Sequence, residues 1–306
     1  MASGQRHRLA EVVLLTLGED SGPADEAVPV ASLHLRASAS VPGLSSLEPS
    51  IPASSSSLLA SIDAHTPRTA FSLSAPIGDD ATEVACAFSL AGIHVRASGF
   101  GEVFVAADGR QIAWRPGDDL ARQRPELVLG PGLVLALALQ GAFCLHASAV
   151  LGPAGAVVFA GPSGAGKSTL AARLSERHGF RRLTDDISPF TADAAGCFLL
   201  PHFPQLKLPA ESQQPASAAA SHPVSRLYLL AECETDAPVR LEPVPPSVAA
   251  LSVCGHIVAS RLFPQRLTAE MLHATAAFAE IVDVRRLHYP KRPAAAADVA
   301  RLLGAT

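Results

Sequence analysis

An eight-residue segment in the middle of the chain, GPSGAGKS at positions 161–168, fits the pattern G-x-x-x-x-G-K-[ST]. A short apolar run, VVFA, leads into it, and the segment STLAARLSERH continues from its last residue. A buried strand, a glycine-rich turn and a helix in this order are typical of an α/β domain. The pattern therefore predicts a strand at Ala156–Ala160 and a helix from about Lys167 to His178, ended by Gly179.

The residue types in this segment suit a bound nucleotide. Glycines let successive N–H groups point at a phosphate, and the helix N-terminus adds partial positive charge. In such a loop Lys167 reaches the β- and γ-phosphates, and the hydroxyl of Ser168 binds Mg²⁺. The residues expected to bind ATP are Gly161, Ser163, Gly164, Ala165, Gly166, Lys167, Ser168 and Thr169. A glycine turn that binds nothing is the alternative.

Composition excludes several other classes of protein. Hydrophobic residues make up 48% and charged residues 17%, so the chain as a whole is not disordered. The net charge of −4, without a long basic run, argues against a nucleic-acid partner. The uncharged stretch Leu127–Leu145 approaches the length of a membrane span, but Gly130–Gly132 and Gln140 interrupt it. We therefore expect a buried helix there, no membrane partner and, without a signal-peptide pattern, a cytoplasmic protein.

Two domains are expected, divided near the polar segment PGDDLARQRP. Residues 1–124 predict a small β-rich domain that contains a Ser/Pro-rich segment at about 36–60. Within it, Val103–Trp114 predicts a hairpin with Asp-Gly at the turn. Residues 125–306 predict the nucleotide-binding domain. Its further expected elements are strands at Cys144–Leu151 and Arg226–Glu232 and helices at Ala269–Val284 and Asp298–Leu303.

Two adjacent carboxylates, Asp185 and Asp186, are expected at the end of a short strand, 18 and 19 residues after Lys167. Neighbours on a strand point to opposite faces, so one carboxylate is free to face Mg²⁺ and the other the acceptor. A solvated Asp-Asp turn is the alternative. His146 is expected on the strand beside the one that feeds the loop, a position near the phosphates. A core histidine bonded to backbone groups is the alternative. Glu232 is better explained as a strand-end acid than as a metal ligand.

Three segments together resemble a known family. His146 with ASAV, the GPSGAGKST loop and the LTDD segment, in this order, look like the catalytic domain of HPr kinase/phosphorylase. They resemble more closely the shorter bacterial HPr-kinase-like proteins, some of which phosphorylate a serine of a ribosomal precursor peptide. The resemblance covers residues from about 127 to 306, and it is close only between residues 145 and 190. PHFPQLKLP and RLHYP, further along, support it loosely.

The resemblance implies an α/β fold of the HPr kinase and phosphoenolpyruvate carboxykinase-like type. It also implies roles for the site residues: Lys167 binds phosphates, Ser168 and Asp186 bind Mg²⁺, and His146 supports the site. Asp185 or Asp186 would be the general base on the acceptor hydroxyl, with Asp185 preferred. The arginine- and glycine-rich acidic run that follows the paired aspartates in HPr kinase/phosphorylase is missing from the sequence. That argues against a phosphorylase reaction and against HPr as the substrate.

The expected function is an ATP- and Mg²⁺-dependent kinase that phosphorylates a serine, or a similar hydroxyl, of a peptide or protein. The alternatives are a nucleotide-binding regulatory or scaffold protein without phosphotransfer, HPr kinase proper, and a GTPase or small-molecule kinase. The last is weakened because the sequence has no N-K-x-D motif. Assembly into a homo-oligomer stays open. Weaker candidates for contact with substrate or phosphate are His202, Lys207, Arg261 and Arg266, and His256 has no partner that the sequence names.

Overall fold

The computed structural model describes residues 13–18, 30–35, 69–77, 80–116, 127–193, 196–200, 221–231 and 233–304. By its contacts the chain divides into two units, Met1–Gln140 and Gly141–Thr306. Strands dominate the first unit, and the second combines strands with four of the five α-helices of the described residues. The protein is therefore of mixed α/β class.

A seven-stranded sheet forms the first unit, with neighbouring strands antiparallel throughout. Its strands are β1 (Val13–Gly18), β2 (Val30–Leu35), β3 (Thr69–Ile77), β4 (Asp80–Phe88), β5 (Gly92–Ala97), β6 (Gly101–Ala106) and β7 (Ile112–Pro116). Their order in the sheet is β1-β2-β7-β6-β5-β4-β3. The expected hairpin is confirmed: β6 pairs with β7, and Gly109 in the turn has a φ of +69°.

The apolar stretch after the polar segment is helical and buried, as expected. A wide helical turn at Val128–Gly132 leads into α1, Leu133–Leu139. The side-chain amide of Gln140 then donates to the carbonyl of Gly109 (2.8 Å), so this helix packs with the first unit. The division between units accordingly falls after Gln140, later than the boundary at 124/125 that composition suggests. No helix of the described residues has the length and apolar character needed to cross a membrane.

The second unit is built on a curled nine-stranded sheet. Its strands are β8 (Phe143–Leu145), β9 (Ala147–Gly152), β10 (Gly155–Ala160), β11 (Arg181–Thr184), β12 (Ser188–Asp193), β13 (Gly196–Leu199), β14 (His222–Ala231), β15 (Arg240–Pro243) and β16 (Asp283–His288). The main path runs β11-β9-β10-β14-β13-β12-β8, and β16 joins β14 and β15. Among the described residues, the parallel pairs are β10 with β14 and β14 with β16.

Four helices accompany this sheet: α2 (Lys167–Arg177), α3 (Pro246–Cys254), α4 (Gln265–Ile281) and α5 (Ala295–Leu302). The predicted helix after the loop is confirmed as α2, and Gly179 follows its end with a φ of +73°. The prediction of a helix at Ala269–Val284 is wrong at its C-terminal end. The chain leaves the helix at Ile281 because the residues that follow pair as β16 alongside β14.

The expected continuous strand Cys144–Leu151 is also wrong, because it breaks at His146. The residues before His146 form β8, which pairs with β12, and those after it form β9, which pairs with β10 and β11. His146 therefore lies where the chain passes from one part of the curled sheet to another.

The core of the second unit contains two clusters of buried side chains. Phe143, Phe190 and Phe278 pack ring against ring, with centroids 5.6–5.8 Å apart. A second buried cluster joins the sheet to helices α2 and α5, and includes Phe159, Leu170, Leu174, Tyr228 and Val299. Burial of large side chains on this scale stabilises the strand–loop–helix arrangement that carries the loop 161–168.

Several sequence predictions lie outside the described residues. These are the Ser/Pro-rich segment at about 36–60, the substrate-contact candidates His202 and Lys207, and the strand-end acid Glu232.

Candidate functional site

The loop 161–168 connects β10 to α2, as its sequence pattern predicts. Gly164 and Gly166 have φ values of +77° and +96°, a region that residues with a Cβ rarely adopt. Helix α2 begins directly after Gly166, which has no side chain to cap the free N–H groups of the first turn. Ser168 and Thr169 expose their side chains at this helix end. Free N–H groups and hydroxyls at a helix N-terminus form an anion-binding arrangement.

Lys167 is a buried lysine whose side chain turns back over the loop. Its Nζ donates to the carbonyl oxygens of Gly161 (2.8 Å) and Pro162 (3.0 Å). The positive charge therefore lies at the beginning of the loop, and the N–H groups of the first turn of α2 lie at its end. A phosphate bound to those N–H groups would lie next to this ammonium group.

The two adjacent aspartates lie in a bend after β11, and they have different surroundings. Asp185 is buried, with 4% of its side chain exposed. It accepts a hydrogen bond from Ser148 Oγ (2.6 Å) and forms an ion pair with Arg182 Nη2 (2.7 Å). Thr184 and Ser188 bond to each other across the same bend, at 2.5 Å. Asp185 therefore holds the bend against β9.

Asp186 has a half-buried side chain, with 32% exposed, and its backbone is left-handed, with a φ of +74°. His146 Nδ1 lies 3.1 Å from the carboxylate Oδ1 and 3.1 Å from the main-chain carbonyl of Asp186. Both oxygens of Asp186 are hydrogen-bond acceptors, so His146 Nδ1 carries a proton and donates it to them. The expected arrangement, with both aspartates on one strand, is wrong because the strand ends at Thr184.

His146 lies level with the start of the loop. In the antiparallel pair of β9 and β10, Ala147 is opposite Ala160. The residue before Ala147 is His146 and the residue after Ala160 is Gly161, so these two lie at the same end of the pair. The sheet thus brings the Asp186–His146 pair to the end of β10 from which the loop begins.

His256 is a further residue of the site that the sequence did not connect to it. The main-chain N–H of His146 donates to the carbonyl of His256 (2.8 Å). Burial lowers the pKa of His256, and the nearby charges of Lys167 and His146 lower it further. A single histidine far along the chain carries no spacing signal that would have identified this position.

Two further candidates have different surroundings. Arg266 bonds to Glu270 on its own helix (2.8 Å). Arg261 is exposed in the short helical turn Ser260–Leu262 and stays a candidate for contact with phosphate. The RLHYP segment packs against α2, where Arg173 donates to the hydroxyl of Tyr289 (3.2 Å). That contact supports the helix that follows the loop.

Replacing Asp185 by Ala is expected to lower the free energy of unfolding by about 3–5 kcal/mol, because Arg182 is left charged and largely buried without its partner. Ser148→Ala removes only one hydrogen bond to this carboxylate and should cost about 1 kcal/mol. Chemical unfolding of the full chain measures both changes. The control is Asp298→Asn, which breaks an exposed pair with Arg301 and should cost less than about 1 kcal/mol. Equal costs at 185 and 298 would contradict an anchoring role for Asp185.

No protein-family model matches the chain, and a search of curated proteins also finds no match. The function has to be inferred from the residues of the site and their geometry.

Proposed function

We propose that the protein is an ATP- and Mg²⁺-dependent kinase that transfers the γ-phosphate to a serine, or a similar hydroxyl, of a peptide or protein. The second unit would then be a kinase domain of the HPr kinase and phosphoenolpyruvate carboxykinase-like type. The observation that carries the proposal is the Asp186–His146 pair at the strand end where the loop 161–168 begins.

The donor side of the reaction is supported by the loop. Its N–H groups and the start of α2 suit the β-phosphate, and Lys167 suits the β- and γ-phosphates. These groups would hold the nucleotide with its γ-phosphate next to Lys167. Positioning of this kind contributes a large part of the barrier reduction in phosphoryl transfer.

The residues present also fit Mg²⁺, which prefers oxygen ligands. The Ser168 hydroxyl, exposed at the helix start, would bind Mg²⁺. The partly exposed carboxylate of Asp186 is the second oxygen donor there, unless it serves as the base. Bound with ATP, Mg²⁺ would neutralise charge on the phosphates.

The acceptor side favours Asp186 over Asp185 as the general base. Asp185 already holds Ser148 and Arg182, and its side chain is almost fully buried. Asp186 is accessible, and the N–H of His146 orients its carboxylate. A carboxylate within hydrogen-bond reach of a serine hydroxyl accepts its proton as the oxygen bonds to phosphorus. We therefore assign the base role to Asp186 and the anchoring role to Asp185.

The test is phosphate transfer from Mg·ATP to a panel of serine-containing peptides and to HPr, measured as a mass gain of one phosphate. Peptides with alanine in place of serine, and reactions with ADP, are the controls. Transfer to serine peptides but not to HPr supports the proposal. Nucleotide binding without transfer to any acceptor would identify a regulatory or scaffold protein, and no binding at all would make the loop a structural turn.

A further inference from the structure

The segment that contains His256 is held against the strand that ends at His146. The main-chain N–H of His146 donates to the carbonyl of His256 (2.8 Å), and that of Val258 donates to the carbonyl of Cys144 (2.9 Å). Between these two hydrogen bonds, Leu145 and Ile257 pair as an isolated antiparallel bridge. His256 is therefore fixed beside β8 by backbone contacts on both sides of the bridge.

Two residues with a strained, left-handed backbone lie next to His146 and β8 in the second unit. Among the described residues, only Asp186 and Ala259 are non-glycine residues with positive φ, at +74° and +56°. Asp186 contacts His146 directly, and Ala259 follows the segment that pairs with β8. Such a backbone conformation is kept only where the surrounding contacts hold it in place, and residues of this kind cluster at functional sites. The turn at Ala259 thus restricts the path of the segment that carries His256.

The ring of His256 has neighbours that suit a phosphate ligand. It is half-buried, and it lies close enough to Lys167 and His146 for their charges to act on it. Burial and these charges lower its pKa, so at neutral pH the ring is an uncharged imidazole with one N–H donor. Such a donor, near both a phosphate-binding lysine and the acceptor-side histidine, suits a phosphate oxygen.

We propose that His256 contacts the γ-phosphate of the bound nucleotide and donates a hydrogen bond to one of its oxygens. This inference rests on the proposed function, because it requires a nucleotide in the loop 161–168. The loop N–H groups hold the β-phosphate, and Lys167 extends along it to the γ-phosphate. His146 marks the acceptor side, since it holds Asp186. The backbone bond to His146 holds His256 on the acceptor side, and its ring lies near Lys167. A γ-phosphate that extends from Lys167 towards the acceptor therefore comes within reach of the ring.

The experiment compares the affinities of full-length variants for a non-hydrolysable Mg·ATP analogue and for Mg·ADP, by calorimetry. His256→Ala is expected to weaken binding of the ATP analogue by about 10-fold, the effect of one hydrogen bond to a charged group. Binding of ADP, which lacks the γ-phosphate, should stay close to that of the wild type. His256→Gln keeps an N–H donor and should recover part of the loss. His273→Ala, at an exposed histidine of α4, is the matched control and should change neither affinity.

The outcomes separate this inference from the function on which it rests. If the wild type binds both nucleotides and His256→Ala keeps the same ratio of affinities, the contact is refuted while nucleotide binding stands. If the wild type binds neither nucleotide, the proposed function fails and the contact fails with it. A measurement on the wild type guards against a misfolded variant: the NMR resonances of the His256 ring should shift with the ATP analogue and not with ADP. Equal shifts with both nucleotides, or none, would overturn the contact.

Discussion

Replacing Asp186 by Asn is expected to slow phosphoryl transfer by about 10²–10⁴-fold, the usual contribution of a general base. Asn has nearly the same shape, tolerates the left-handed backbone at this position, and can still accept the N–H of His146. The fold should therefore be kept while the proton acceptor is lost. Initial rates with saturating Mg·ATP and an acceptor peptide, together with the Kd for Mg·ATP, measure the effect.

Comparing the change in rate with the change in Kd distinguishes a general base from an Mg²⁺ ligand. A base lowers the rate with little change in Kd, whereas a residue that chiefly holds Mg²⁺ weakens the binding of Mg·ATP. Asp185→Asn is the neighbouring control, and it should act mainly on stability through Arg182. If Asp185→Asn stays folded and loses turnover while Asp186→Asn keeps it, the base is Asp185 and the assignment to Asp186 is wrong.

Replacing Lys167 by Ala is expected to weaken nucleotide binding by about 10–100-fold, from the loss of a charge-assisted hydrogen bond. Turnover should fall by about a further 10²–10³-fold, since the ammonium group stabilises charge that develops on the γ-phosphate. Its Nζ is held at the start of the loop by the carbonyls of Gly161 and Pro162. Calorimetry with Mg·ADP and Mg·ATP, followed by rate measurements, separates the two losses.

Lys291 is the matched control for this change, because it is an exposed lysine in a chain that has only three. Lys291→Ala should leave both affinity and rate unchanged. Lys167→Arg should fail almost as badly as Lys167→Ala, because a planar guanidinium does not fit the place of a compact ammonium group. Wild-type nucleotide affinity in Lys167→Ala would show that the loop binds no phosphate.

The loop and its helix could be predicted because their determinants are local. Glycine positions, one lysine and an apolar strand fix the backbone within about a dozen residues, and the structure shows strand, loop and helix where the pattern places them. Pairing of β9 with β10 was predictable for the same reason, since a short Gly-containing turn joins them.

The roles of the aspartates and of His256 depend on contacts between distant parts of the chain. Nothing in the sequence Asp185-Asp186 says which carboxylate Ser148 and Arg182 will bury. The position of His256 depends on a bridge between Leu145 and Ile257, more than a hundred residues apart. The break at His146 depends on two different partner strands, β12 and β10. Such pairings are tertiary, and a single sequence carries little signal for them.

The left-handed backbone at Asp186 restricts which amino acids can occupy this position. Glycine and asparagine fit that conformation but have no carboxylate, and glutamate has the carboxylate but fits the conformation poorly. Aspartate meets both requirements. Under the proposed mechanism, a change to asparagine would convert a phosphotransferase into a folded nucleotide-binding protein in one substitution.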